Sequence, residues 1–492
     1  GLALGGGGAW GLAHLGFLEA MEEDGVRPPR LAGTSAGALA GAVYAAGIPT
    51  REIAEIFRAA ERDPGRSGAD GADGLGRAVR RDPLSPVEAP VRFGPGEDGR
   101  PLPWRGLFPE DRLAGELARH FARPDADAGG DLDRLRVPFR AVSADLAANE
   151  PYAPRFGSLP LLVRASISLP LLPPVRLGDR VLVDGGAFEE VPVPTLRALG
   201  ASPVIGVRLT DDGADFGGLP DKFGFRVLDA LYVDRIVAAH RREVVESADL
   251  RVDLRVGDAS PARFLGQLDD LLVAGRAAWV EHRERVLRTI EGSAPGAVRI
   301  ARVGAADPGH REDAAEIAAR LGASEGPVET SRLRVEIELV RLLRSGVGED
   351  ARLEVGDDGV AVLHVDPRVP LRSAILDFPE SLAPWLSGLD LDGHASPREA
   401  VAAVEAGILA ARRDGRFLAG LASVRFDAAT GALEIAADDG TVRGVDLRTL
   451  GAGPDGDLRE IPAGLEALVG APADLDDIAA EIDRLERRDL LQ

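Results

Sequence analysis

From the first residue onward, short apolar runs alternate with glycine turns. Leu2-Ala3-Leu4 enters the run Gly5-Gly6-Gly7-Gly8, and Leu12, Leu15, Leu18 and Met21 then recur at helical spacing until Gly25. Leu31-Ala32 predicts a second strand, Gly33-Thr34-Ser35-Ala36-Gly37 a sharp turn, and the alanine-rich stretch up to Gly47-Ile48-Pro49 a second helix. Further on, the pattern predicts a short helix capped by Thr50, an amphipathic helix from Leu113 to Phe121 and a strand from Val137 to Leu146 that leads to a polar turn. Arg180 to Asp184 is another apolar strand, Pro194 to Leu199 a helix, and Pro203 to Leu209 a buried strand in the manner of a parallel sheet. Arg62 to Gly76 has no period and reads as a surface loop. Val87–Phe93 and Arg100–Trp104 read as a hairpin with a glycine-rich tip, either a lid or a plain surface hairpin.

After about residue 290 the grammar changes. Val298 to Val303 alternates as a strand, Arg311 to Leu321 and Ser331 to Arg344 are helices, and Ala351–Val355 pairs with Val360–Asp366 across Gly356-Asp357-Asp358-Gly359. A similar order returns with the helix Pro397 to Arg413 and the hairpin Ala422–Phe426 with Leu433–Ala436, although its first strand and first helix are not legible. A third copy starts at Val442 and reaches the helix Leu475 to Arg488. These repeats of roughly seventy residues, each strand, helix, helix and hairpin, suggest small α+β modules at 297–368 and 371–440 and a partial one at 441–492, behind an α/β domain at 1–290. Unrelated small α+β domains are the alternative. The linker 291–296 is polar, glycine-bearing and without period.

Composition narrows the classes. A chain of 492 residues is too long for one core, and its 45% apolar and 28% charged content is that of folded protein. The net charge of −22 argues against nucleic acid and against electrostatic docking to anionic bilayers. With no cysteine, disulfides and thiolate metal sites do not arise. No carboxylate and histidine cluster has ligand spacing, so no metal or cofactor is expected. The uncharged run Leu31 to Thr50 has nearly the length of a membrane helix but is interrupted by glycines and Pro49. Gly1 already lies inside the first strand, which suggests a segment of something longer.

The chemistry concentrates in the first βαβ unit. Ser35, between two glycines at a strand-to-helix turn, has the setting of a nucleophile elbow. Successive amides of a glycine run at a helix start form a nest that stabilises an oxyanion, or cradles a pyrophosphate. The pyrophosphate reading wants an acidic residue at the end of the second strand, where this chain instead runs into the serine. Asp184, before Gly185-Gly186 at the end of a strand, is either a base turned back toward the serine or a turn aspartate. Of the histidines, His14 reads as a packing residue, His120 and His240 as solvated helix faces, and His282, His310, His364 and His394 fall at or beyond the end of the domain. A serine and aspartate dyad is the simplest reading. Asp145 reads as a turn residue.

Three blocks together resemble the patatin-like phospholipases: Gly6 to Gly11 with Leu12-Ala13-His14-Leu15-Gly16, the elbow Gly33 to Gly37, and Asp184-Gly185-Gly186. A fourth, Val163-Arg164-Ala165-Ser166-Ile167-Ser168-Leu169-Pro170, is similar to the stretch preceding that family's aspartate. The resemblance covers roughly residues 1 to 290. It implies a three-layer α/β/α domain with a mainly parallel sheet, Ser35 as nucleophile, Asp184 as base, and the amides of Gly6, Gly7 and Gly8 as oxyanion hole. It further implies a lipid acyl hydrolase acting on phospholipid or other acyl esters. An inactive fold used for binding or assembly, and a small-molecule esterase, are the alternatives. Two departures matter: Trp10 stands where the family usually has Arg or Lys, and Glu189-Glu190 where its aspartate block usually continues with Asn. The later modules resemble POTRA modules. A patatin-like domain followed by such modules is similar to bacterial proteins that continue into an outer-membrane β-barrel, which implies a periplasmic or outer-membrane-associated segment.

Overall fold

The computed structural model describes residues 1–54, 110–168, 174–210, 247–259, 266–293 and 297–440, the last apart from 346, 349, 367–370, 395, 415, 417 and 428–429. The hairpin expected at 87–104, the loop 62–76, His240, the linker residues 294–296 and the third module at 441–492 lie outside the described residues.

The first domain is built on an eight-stranded, mostly parallel sheet. Its strands are β1 (Leu2–Leu4), β2 (Leu31–Thr34), β3 (Phe139–Asp145), β4 (Glu150–Tyr152), β5 (Val175–Leu177), β6 (Arg180–Asp184), β7 (Ile205–Thr210) and β8 (Leu250–Arg255). They lie in the order β5-β6-β3-β2-β1-β7-β8, with β4 paired to β3. β1, β2, β3, β7 and β8 are mutually parallel, and β6 enters antiparallel beside β3. Period-two alternation gives both faces of the central strands a partner. Leu2, Leu4 and Leu31 face the main core, while Ala3 and Ala32 face a second cluster with Val191, Val193, Leu196 and Val204. Helices therefore cover both faces. They are α1 (Leu12–Glu23), α2 (Ala36–Ala45), α3 (Glu110–Ala128), α4 (Leu159–Ser166), α5 (Val193–Ala198) and α6 (Leu268–Glu291).

α3 runs further than the expected Leu113–Phe121, continuing through Pro124, whose ring removes the donor for the His120 carbonyl. His120 is not on a solvated face. Its Nδ1 lies 3.4 Å from Glu52 and its side chain is 15% exposed, because Glu52 of the preceding helical segment packs over it.

Two smaller units follow with one topology. In the first, β10 (Arg302–Ala305) runs parallel to β13 (Val360–Asp366), which pairs antiparallel with β12 (Asp350–Val355). Helices α7 (Arg311–Leu321) and α8 (Arg332–Arg344) cover this sheet over a core of Ile300, Ile317, Leu321, Leu342 and Leu363. In the second, β14 (Ser373–Asp377) runs parallel to β16 (Ala432–Asp438), which pairs antiparallel with β15 (Gly420–Asp427). Its helices are α9 (Ala383–Leu386) and α10 (Pro397–Arg413). The single strand expected at 298–303 divides in two: β9 (Ala297–Ile300) pairs with β11 (Val328–Ser331), and β10 joins the sheet. Ala301 makes the break, donating its amide to the Gly359 carbonyl at 2.7 Å.

Candidate active site

Ser35 joins β2 to α2 with φ 54° and ψ −125°. A side chain held at such angles stores about 1–3 kcal/mol of backbone strain, and Asn149 is the one other non-glycine residue at positive φ among those described. The glycines on either side make the turn possible. A Cβ on Gly37 would overlap the carbonyl oxygens of Leu4 and Gly5, and one on Gly33 would overlap that of Gly37.

The glycine run lies against this elbow. A Cβ built on Gly6 would stand 3.2 Å from the Ser35 Cβ and 3.9 Å from its Oγ. The Gly5 amide donates to the Val207 carbonyl at 2.9 Å, and the Gly6 amide to the Glu190 carbonyl at 3.0 Å. Of the three expected donors, Gly6 is therefore engaged within the fold. Gly7 and Gly8 stand at the head of the 3-10 turn Gly8–Gly11, ahead of the Trp10 amide, which donates to the Gly7 carbonyl at 3.2 Å. From below, His14 Nε2 lies 2.9 Å from the Gly5 carbonyl oxygen, so that nitrogen carries the proton. Burial pushes the His14 pKa down to about 4, outweighing the bond to Gly5. A neutral, buried imidazole that pins the loop matches its reading as a packing residue.

Asp184 ends β6 opposite Ser143 of β3, while Thr34 faces Val142 across the other side of β3. Ser35 and Asp184 thus leave the sheet at one level, two strand spacings or about 10 Å apart at the backbone. The chain after Asp184 then crosses β3 toward the serine. A Cβ on Gly185 would overlap the Val142 carbonyl oxygen and stand 3.2 Å from Thr34 Cγ2. The Asp184 carboxylate is buried, and its Oδ1 accepts from the Gly186 amide at 2.8 Å.

Both departures from the family pattern have structural work. Thr34 Oγ1 donates to the Glu189 carbonyl at 2.7 Å, and the buried Glu189 carboxylate accepts from the Thr195 amide at 3.2 Å and hydroxyl at 2.8 Å. The loop after Asp184 is thereby tied to β2 and to α5. Trp10 is buried, with its indole Nε1 donating to the Ala259 carbonyl at 2.8 Å. Asp145 is a turn residue: its buried carboxylate accepts from Arg180 at 2.6 Å and from the Ala147 amide at 3.0 Å. Sequence reasoning missed Ser166, whose hydroxyl accepts from the Ser35 amide at 3.0 Å. The block Val163 to Pro170 carried that signal only as a resemblance.

Among the described residues no cluster of three or more His, Cys, Asp or Glu side chains could hold a metal, and no helix is long and apolar enough to cross a membrane.

Residues 2–197 match the model of the patatin-like phospholipase family. An uncharacterized NTE family protein of Mycobacterium tuberculosis H37Rv is 35% identical over 199 residues, 40% of this chain and 28% of that protein. Lysophospholipase nte1 of Aspergillus fumigatus is 27% identical over 225 residues, 46% of this chain and 12% of that protein. The chain thus spans well under half the length of either relative. The crystal structure of VipD from Legionella pneumophila aligns at a TM-score of 0.32 and 14% identity over 58% of this chain and 66% of that one, too low to bear on function. The glycine run, the elbow and Asp184 all fall within residues 2–197, the stretch over which the chain is similar to the patatin-like phospholipases.

Proposed function

We propose that the first domain cleaves acyl esters of lipids through an acyl-enzyme on Ser35. The family match supports a lipid ester hydrolase at the level of the family, and the reading of the mechanism rests on the strained backbone of Ser35 beside the glycine run. In this reading Asp184 accepts the Ser35 hydroxyl proton as Oγ attacks the ester carbonyl. The oxyanion that forms is met by the amides of Gly7 and Gly8, with Gly6 fixing their approach. Collapse expels the alcohol, which takes the proton from Asp184, and water then releases the acyl group by the same steps. Ser35→Ala is expected to lower ester hydrolysis by about 10³-fold or more with the fold intact, since alanine fits the elbow. Activity retained in that variant would overturn the reading. Rates on short-chain esters and on phospholipid vesicles, measured side by side, separate a lipid hydrolase from a small-molecule esterase.

A binding or assembly role is the second reading. It is favoured by Trp10, which places a buried indole where the family usually carries a cation. A parent chain inactive on every ester but competent to bind vesicles would select it. We further infer that the two α+β units are POTRA-like, on the strand order that they share. With that reading goes a bacterial periplasmic or outer-membrane-associated location, in a longer protein that includes a β-barrel. Fractionation of cells expressing the natural protein tests it, and recovery from the cytosol alone would refute it.

A further inference from the structure

One turn of chain touches the backbone of both residues of the proposed dyad. Ser166, the last residue of α4, is fully buried, and its hydroxyl donates to the Val142 carbonyl of β3 at 2.6 Å while accepting from the Ser35 amide at 3.0 Å. Two residues on, the Ser168 carbonyl accepts from the Asp184 amide at 2.9 Å. Ser168 is itself fastened to buried Arg164. Its hydroxyl accepts from the guanidinium at 2.5 Å and donates to the Arg164 carbonyl at 2.9 Å.

The place of the Ser166 hydroxyl is unusual in one respect. The β2–β3 ladder pairs Thr34 with Val142 and then stops, because the chain turns at Ser35. The next donor on that edge is the Ser35 amide, and the acceptor it leaves behind is the Val142 carbonyl. Ser166 stands between the two and bridges them, so that a side chain supplies the rung that the turn removes. The strained φ of Ser35 therefore does not leave its amide buried and unpaired.

We propose that Ser166 is a positioning residue of this site, fixing the Ser35 backbone against β3 so that Oγ keeps its place between the glycine run and the base. The proposal rests on the acyl-enzyme reading. Ser166→Ala removes the bridge and no group that would touch substrate. It is expected to lower kcat on a soluble ester by about 10- to 100-fold, the scale of a displacement near 1 Å, with KM within about twofold. Ser166→Thr, which keeps the hydroxyl, recovers most of that loss. A kcat for Ser166→Ala within about twofold of the parent overturns the proposal, as does a loss that Ser166→Thr does not recover. Should Ser166→Ala fail to fold, Ser166→Cys, close in size and a weaker hydrogen-bonding group, is expected to lower kcat at unchanged KM, and a parental kcat there overturns the proposal equally. A second readout does not depend on turnover. The Ser35 amide is expected to exchange hydrogen faster in Ser166→Ala than in the parent, without faster exchange in β7 or β8. Were the parent to hydrolyse no ester, the acyl-enzyme reading would fall by itself, and a parental exchange rate at Ser35 in Ser166→Ala would refute the bridge separately.

Discussion

His14 commits Nε2 to the Gly5 carbonyl, and its buried Nδ1 has no hydrogen-bond partner among the described residues. A proton added there would enter a buried site without an acceptor, so the folded chain holds His14 neutral down to about pH 4, whereas the ordinary value is 6.5. Between those values the unfolded chain binds the extra proton, so stability falls as pH drops from about 6.5 toward 4, by about 3 kcal/mol at most. Urea unfolding at pH 7 and pH 4.5 is expected to show this loss in the parent and a smaller one in His14→Gln. An equal loss in both assigns it to other groups. For activity, Asp184→Asn is expected to be nearly as damaging as Ser35→Ala, while His14→Gln stays within about tenfold, or 1.4 kcal/mol. A dead, folded His14 variant would make the site a triad. The serine, the glycine run and the aspartate were legible because turn chemistry is local in sequence. The Gly6 amide bonded to Glu190 and the Ser35 amide bonded to Ser166 were not, since each depends on a pairing more than a hundred residues away.

At the scale of elements, α1 and α6 are held together by absent side chains. A Cβ on Gly275 would overlap the Ala13 carbonyl, and one on Gly16 would overlap the Leu272 carbonyl, so the two backbones touch. Beside that contact, Phe17 meets Trp279 edge-on with ring centroids 5.6 Å apart, and the indole donates to Asp24 at 2.8 Å. Gly275→Ala forces the helices apart and is expected to cost about 2–3 kcal/mol, read as a lower urea midpoint at unchanged slope. A change below about 0.5 kcal/mol would show that the crossing is looser than the geometry implies. α1 is plain in the sequence, but α6 is not among the expected helices. Val273 and Val280 stand exposed on its outer side and blur the apolar period by which a one-sided helix is read. α9 escaped notice for a different reason, since its four residues are too few to display a period.

Across the whole molecule, the first α+β unit is seated on the first domain. Ile337 of α8 belongs to the main core of that domain, and Gly25 is close enough that a Cβ there would lie 3.0 Å from Val340 Cβ. Around this apolar contact Arg341 bonds Asp24 at 2.7 Å and Arg334 bonds Glu291 at 2.5 Å. Burial works against ionisation of Asp24, yet the bonds from Trp279 and Arg341 hold its carboxyl below the usual range. The seat lies at the C-terminal end of α1, a helix of twelve residues or about 18 Å, whose other end faces the glycine run. A chain of residues 1–293 is therefore expected to hydrolyse soluble esters at close to the parental rate. It should melt lower, by about 2–4 °C for each kcal/mol of lost contact. Calorimetry and ester kinetics on the shortened chain check both halves. A folded but inactive product would show that the later units complete the site. The polar, aperiodic stretch 291–296 reads as a linker, and the seat was not legible there because Ile337 reads as one more core residue of its own helix.

The second unit returns to the same domain elsewhere. Arg123 of α3 bonds Asp438 at 2.5 Å and the Leu418 carbonyl at 2.7 Å, and Arg51 faces Glu405 at 3.9 Å. Two attachments on one chain act as a chelate. When either lets go, the other keeps it at an effective concentration in the millimolar range, and it rebinds before the pair is lost. Contacts too weak to hold two separate proteins together can then fix the orientation of both units. Because the second grip is largely ionic and partly exposed, it is the one that rising salt loosens first, and the units would swing about the apolar seat at Ile337.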